Sequence, residues 1–259
     1  MPLMKTSNPA LGPNTFRNVP GGAGMLNGGA IDAAARMTLN GTIHKTGILL
    51  VCALATAAWT WSSFLQTHDL TVAGPLLLVG LFGGFIVALV TTFKKEWAPV
   101  TAPIYSLLEG LALGGLSAVI ELRYPGIAIE AVGLTFGTLF VMLFLYRSGI
   151  IKVTQKFALG VVAATGGIAL FYLAEIVLGI FGIHFTTING NGFIGIAFSL
   201  FVVAIASLNL VLDFDFVEQG VTSGVPKYME WYAAFGIMVT LVWLYLEILR
   251  LLVKMRSRN

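Results

Sequence analysis

The sequence predicts an all-α fold, a polytopic membrane protein built as a seven-transmembrane-helix bundle. Three observations predict it. First, 57% of the residues are apolar and the mean hydropathy is +0.89, whereas soluble domains hold roughly 45–50% apolar residues. Second, the apolar residues gather in runs of about 20, the length that crosses a hydrocarbon core of about 30 Å as a helix. The alternating segments of about ten residues that build a membrane β-barrel do not occur. Third, only 10% of the chain is charged. The single cysteine, Cys52, excludes an intramolecular disulfide and a cysteine metal cluster. It reads as a small apolar residue of the first run. A net charge of +3 over 15 basic residues follows membrane topology and gives no ground for a nucleic-acid partner.

The chain divides into residues 1–45, a Gly/Pro/Asn-rich cytoplasmic tail, 46–253, the membrane domain, and 254–259, a short basic tail. The first segment, with GPNTFRNVPGGAGMLNGGA, cannot bury enough apolar surface to fold alone and is expected to be mobile. It is not a signal peptide, because no apolar core follows Lys5. A short surface helix is expected around Ile31–Met37. Seven spans follow at 47–66, 72–93, 101–121, 127–146, 157–180, 193–219 and 227–252. Pro75 opens the second, and Pro99 and Pro103 precede or open the third. Tyr124-Pro125-Gly126 separates the third from the fourth. Gly220 suits the C-cap of the sixth and Pro226 the first turn of the seventh. The small-residue pairs Gly80/Gly84, Gly110/Gly114 and Gly133/Gly137 are expected to mark close helix contacts. Trp59, Trp61, Trp97, Trp231 and Trp243 read as interfacial anchors.

Positive charge sets the orientation. With the N-terminus cytoplasmic, Lys5, Arg17, Arg36, Lys45, Lys94, Lys95, Arg147, Lys152, Lys156 and Lys227 fall inside, and the outer loops hold only Arg123. Seven full crossings leave Lys254, Arg256 and Arg258 outside, against the rule. A re-entrant seventh run would return them to the cytoplasm.

Against this background five acids stand in or beside apolar runs: Glu109, Glu175, Asp213, Glu230 and Glu247. An ionised carboxylate at a membrane-helix centre costs roughly 3 kcal/mol on insertion scales, so those retained usually pair, line a wet cavity or carry an ion or proton. At 1.5 Å per residue, Glu109, Asp213, Asp215 and Glu230 collect in the inner half, with Lys94 and Lys95 the nearest counter-charges. Glu175 and Glu247 fall towards the opposite surface, where Arg250 follows Glu247 at i+3. Acids at both ends suit a cation path; interfacial anchors are the plainer reading for Glu247 and Arg250. In NLVLDFDFVEQG, Asn209 and Asp213 share a face, while Asp213 and Asp215 point apart. The helix-end dipole, burial and neighbouring acids all disfavour ionising Asp213. Asp213 coupled to Glu230, with Glu109 in the same inner cavity, makes a candidate pH-sensing pair; Asp213 and Glu109 could also hold calcium transiently. Asp215 and Glu218 read as a solvated acidic end. His44, His68 and His184 are scattered, without metal-ligand spacing. No nucleophilic triad, phosphate loop or cofactor motif occurs, so neither an enzyme nor a resident cofactor is expected.

The segments APIYSLLEGLALGG, LNLVLDFDFVEQG and EWYAAFGIMVTLVWLYLEILRLL, with the entry MTLNGTIHKTGILL, resemble the Bax-inhibitor family of membrane proteins over about residues 38–253. The longer N-terminal tail looks like the bacterial branch. The resemblance implies a central seventh helix and a pH-sensitive calcium leak channel in the bacterial inner membrane. In that family an aspartate of the sixth helix, here Asp213, shares a proton with one of the seventh. A basic residue after the second helix, here Lys94 or Lys95, restrains the closed state. The seventh-helix aspartate falls near Thr240, which cannot ionise; Glu230 is the substitute by depth and Glu247 the runner-up. Some members bind a membrane-anchored AAA protease through the N-terminal region, so a non-conducting regulator is the second reading. A proton-coupled transporter is the third, although the inverted repeat and broken helices that would mark one do not stand out. Reporter fusions at the two ends are expected to place the N-terminus in the cytoplasm and the C-terminus across the membrane. Two cytoplasmic ends would make the seventh run re-entrant.

Overall fold

The computed structural model describes residues 35–67, 70–182 and 186–258. Seven long helices follow in order: α1 Leu39–Thr67, α2 Leu70–Phe93, α3 Ala98–Arg123, α4 Ile127–Arg147, α5 Gln155–Ile180, α6 Phe193–Thr222 and α7 Met229–Arg256. Each corresponds to one expected span, and all seven are long and apolar enough to cross a membrane. Among the described residues there is no strand, only an isolated antiparallel bridge between Arg36 and Pro226. His68, His184 and the sequence before Ala35 lie outside the described residues.

The helices overrun the apolar runs, and the overruns correct several boundaries. The expected tail reaches residue 45, but α1 begins at Leu39, so its last seven residues are two helical turns. Thr38 caps this start: the Gly41 N–H donates to Thr38 Oγ1 at 3.0 Å, which satisfies one of the four orphan donors of a helix N-terminus. The surface helix expected at Ile31–Met37 falls mostly outside the described residues. Its described end is paired with the α6–α7 link: the Met37 N–H donates to Val225 O and the Lys227 N–H to Ala35 O, each at 2.8 Å.

That pairing also moves the caps of α6 and α7. Gly220 lies inside α6, and the turn is made by Gly224 at φ +62°, a left-handed conformation that glycine adopts without steric cost. Pro226 stays in the link, because Val225 and Lys227 give their backbone groups to the bridge; α7 starts only at Met229. At the far end, α7 runs to Arg256 and takes Lys254 out of the expected basic tail and into the helix.

Two compact units divide the described residues, one running as far as Pro125 and including Asp215–Val239, the other taking in Gly126–Phe214 and the chain from Thr240 onward. In the first, α3 packs against both α1 and α2, and glycine makes both contacts possible. A Cβ on Gly110 would strike Thr56 Oγ1 and the Ala53 carbonyl, and one on Gly114 the Ala57 carbonyl. On the α2 side, a Cβ on Gly80 would lie 2.6 Å from the Ala112 nitrogen. Such contacts replace the hydrophobic drive that lipid cannot supply between helices. The third pair departs from expectation: Gly133 and Gly137 of α4 meet nothing within 4 Å.

α7 is the most deeply buried helix. In its most apolar stretch 61% of the residues are buried, against 11% in α5. The side chains left outside are large and apolar, among them Phe82 and Phe85 of α2, Phe140 and Phe144 of α4, and Leu170 and Ile176 of α5. A surface of that kind is suited to lipid. Gly110→Val is expected to lose about 1–3 kcal/mol by overpacking the α1–α3 contact, while Gly133→Val stays near wild type. Thermal melting of the two variants in detergent checks this.

Candidate functional site

The first buried carboxylate on α7 belongs to Glu230, which is fully buried. The Thr38 N–H and the Thr38 hydroxyl each donate to Glu230 Oε1 at 2.9 Å, and the Lys45 ammonium is ion-paired with Oε2. The geometry is a capping box built from two distant parts of the chain. In the ordinary box, a Glu three residues after the cap reaches back to the cap N–H. Here that position is Gly41, and any Cβ on it would run into the Glu230 carboxylate. The missing side chain leaves the space, and α7 supplies the acid. Lys45 also lies 5.5 Å from the ring centroid of Trp231, a cation–π contact that keeps the ammonium over α7.

Neighbouring contacts belong to the same end of α7. Lys95, half-buried after α2, lies 5.7 Å from the Tyr232 ring centroid, and Lys94 is exposed. Tyr105 of α3 meets Phe235 edge-on at 5.0 Å. Outside the spans, burial and the nearby Glu96 push the Tyr228 phenol up to about 12.

Asp213 is fully buried on α6. One turn earlier, Asn209 is also buried and donates to Thr165 Oγ1 of α5 and to the Ile205 carbonyl, both at 2.8 Å. The flanking residues explain the burial. Leu212 packs with Ala158 and Val161 of α5, and Phe214 lies 5.9 Å from Tyr146 of α4. Asp215, half-buried, accepts from Gln219 one turn on, and Glu218 is exposed. The two aspartates therefore differ as the alternation of faces requires.

Glu109 of α3 is half-buried, and its Oε2 lies 2.9 Å from where a Cβ on Gly84 of α2 would stand. It sits beside Tyr105, one turn earlier on the same face. Eleven residues from the start of α3, it is roughly 16 Å along the helix. The described residues give Glu109 no hydrogen bond, which sets it apart from every acid held in a pair.

The other end of α7 holds a second set. Glu247 is buried, accepts from the Tyr172 hydroxyl of α5 at 2.9 Å and lies 3.5 Å from Arg250. Arg250 in turn stacks 4.8 Å from the Tyr172 ring centroid. Glu175 accepts from Asn189. Arg256 pairs with Glu130 at the start of α4 at 2.6 Å. Lys254 is buried, with its ammonium on the carbonyls of Ile188 (2.8 Å) and Gly195 (3.1 Å) and on Ser199 Oγ (2.9 Å). Among the described residues no group of three or more His, Cys, Asp or Glu is placed to hold a metal ion.

A family model described as Bax inhibitor 1 like matches residues 8–257. The chain belongs to that family. With seven spans of sufficient length and apolarity, this Bax-inhibitor family member is an integral membrane protein. Comparison with curated proteins and with solved structures gives no match.

Lys45, Thr38 and Gly41 escaped the sequence reading as partners of Glu230, as did the inward turn of Lys254. The local signal at Thr38 is a cap residue with glycine where an acid would complete the box; its partner lies 192 residues away. Glu230→Gln is expected to lose about 3 kcal/mol, towards the low end for breaking a buried pair because Lys45 retains some access to water. Gly41→Ala should lose stability through the same carboxylate, and Glu218→Gln should melt like wild type. Melting temperatures in detergent decide the order.

Proposed function

We propose that this family member is a pH-sensitive cation leak channel, calcium being the permeant ion rather than a bound cofactor, and that it catalyses no reaction. The observation that carries the reading is the complete burial of Asp213 within a membrane-spanning helix, at the position matching the family's sixth-helix aspartate. A carboxylate kept there, at a cost of roughly 3 kcal/mol when charged, suits a group whose charge is switched. Glu109, deep in α3 and outside any hydrogen bond among the described residues, suits a path-lining acid. Glu230 suits a different role from the proton-sharing partner expected of it. With Lys45 and Thr38 on its two oxygens, it fits a permanently charged clamp. A cytoplasmic N-terminus, on the charge asymmetry of the loops, and the bacterial inner membrane, on the resemblance of the longer tail to the bacterial branch, complete the reading.

Linkage fixes the direction. If the closed state holds the proton on Asp213 and the open state releases it, the closed state binds more protons, so acid favours closure. Calcium flux into liposomes should then rise with pH in wild type. Asp213→Asn should flatten that dependence, and Asp215→Asn should retain it. Equal flux–pH curves for wild type and Asp213→Asn would place the sensor elsewhere.

A second reading is a regulator of a membrane-anchored AAA protease acting through the N-terminal region. The pairing of Ala35–Met37 with Val225–Lys227 favours it, since a partner drawing on that region would act directly on the start of α7.

A further inference from the structure

Lys254 does not do what a lysine near a membrane-helix end ordinarily does. Such side chains extend their ammonium to the interface, yet this one is 6% exposed and turned inward. An ammonium has three N–H donors, and all three find oxygen: Ile188 O, Gly195 O and Ser199 Oγ, at 2.8, 3.1 and 2.9 Å. None of the three is charged. Gly195 and Ser199 are one turn apart on α6 and share a face, whereas Ile188 belongs to the segment before it. Glycine is required for these groups to converge, because a Cβ on Gly195 would collide with the Gly190 and Ile188 carbonyls. Arg250, Glu247 and Glu175 stand near enough to act on the ammonium electrostatically, the arginine against its charge and the glutamates in favour of it, without contacting it.

We propose that these oxygens form a monovalent-cation site which the Lys254 ammonium occupies as a tethered ion, excluding free cations. The chemistry selects the ligand class. Calcium sites are built largely on carboxylates, and no carboxylate among the described residues contacts the ammonium here. Neutral carbonyl and hydroxyl oxygens replace the hydration shell of a singly charged ion such as potassium, which is close to ammonium in size. Glu247 and Glu175 favour a cation at this position and Arg250 opposes one, so the three oxygens, rather than a net negative field, define the site. A conducting consequence, that Lys254 plugs this end of the path, rests on the channel reading above; the binding consequence does not.

The test is Lys254→Met in the full chain, melted in detergent in potassium or ammonium chloride and in N-methylglucamine chloride of equal ionic strength. The variant should show a saturable, potassium-dependent rise in melting temperature of roughly 5 °C, with wild type flat. Adding Ser199→Ala to Lys254→Met should weaken or remove that rise. A variant that melts lower in every salt, with no potassium dependence, would reduce Lys254 to a structural clasp and overturn the proposal. If Lys254→Met yields folded protein only when prepared in potassium chloride, the proposal is supported; if it folds in no salt, the proposal fails. Rubidium uptake into liposomes separates the two readings. Potassium-dependent melting with no gain in uptake leaves the site standing and counts against conduction.

Discussion

A charge placed between lipid-facing helices must be met by an opposite charge, a full set of hydrogen bonds or a proton. That constraint organises the polar part of this protein. Glu230 is met by Lys45 and Thr38, Glu247 by Tyr172 and Arg250, Glu175 by Asn189, and Lys254 by three oxygens. These matches are also the long-range ties of the fold, since van der Waals packing alone discriminates poorly between one helix register and the next in lipid. The acid without such a match among the described residues, Glu109, is informative for that reason. No hydrogen bond or ion pair among the described residues offsets its burial, so its position is hard to explain by stability alone.

Three of the buried polar groups share a construction. Each stands where a glycine removes the side chain that would fill the space. Gly41 admits the Glu230 carboxylate, Gly84 admits that of Glu109, and Gly195 lets the Ile188 and Gly190 carbonyls approach. A glycine costs a helix interior roughly 1 kcal/mol relative to alanine, and a satisfied buried charge outweighs that. The same substitution elsewhere serves close packing of backbones, as at Gly110 and Gly114. Gly133 and Gly137 do neither, so the spacing of small residues is not by itself a reliable sign of contact.

The fold was legible because its cause is local. Twenty consecutive apolar residues force a helix wherever they enter a bilayer, and all seven runs became helices. Ends were read less well, since capping and pairing decide them. Thr38 and the bridge to Val225–Lys227 set the start of α1 and delay α7, and neither follows from hydropathy. In the site, the burial of Asp213 and the weaker burial of Asp215 follow from helical periodicity, which a sequence displays. The partner of Glu230 does not, because Lys45 and Thr38 are 185 and 192 residues away. Lys254 was misread for a related reason. A terminal KMRSRN reads as a solvated basic tail unless the oxygens that receive the ammonium are known.

The two buried charges on α7 also have the sign that the helix itself prefers. Glu230 stands in the first turn, where the backbone dipole is positive, and Lys254 in the last, where it is negative. The field of the helix therefore adds to both contacts, by about 0.3–1 kcal/mol each in exposed settings and up to ~2 kcal/mol when partly buried. Between them lies a stretch of 23 residues with only Glu247 and Arg250 charged. Sliding α7 along its axis by one turn would withdraw both end charges from their partners together, each at several kcal/mol. α6 itself carries Gly195 and Ser199, which hold Lys254, so a shift of the whole of α6 would break that contact as surely as a slide of α7. Only a change confined to the surroundings of Asp213, about four turns further along α6, leaves both end contacts of α7 in place.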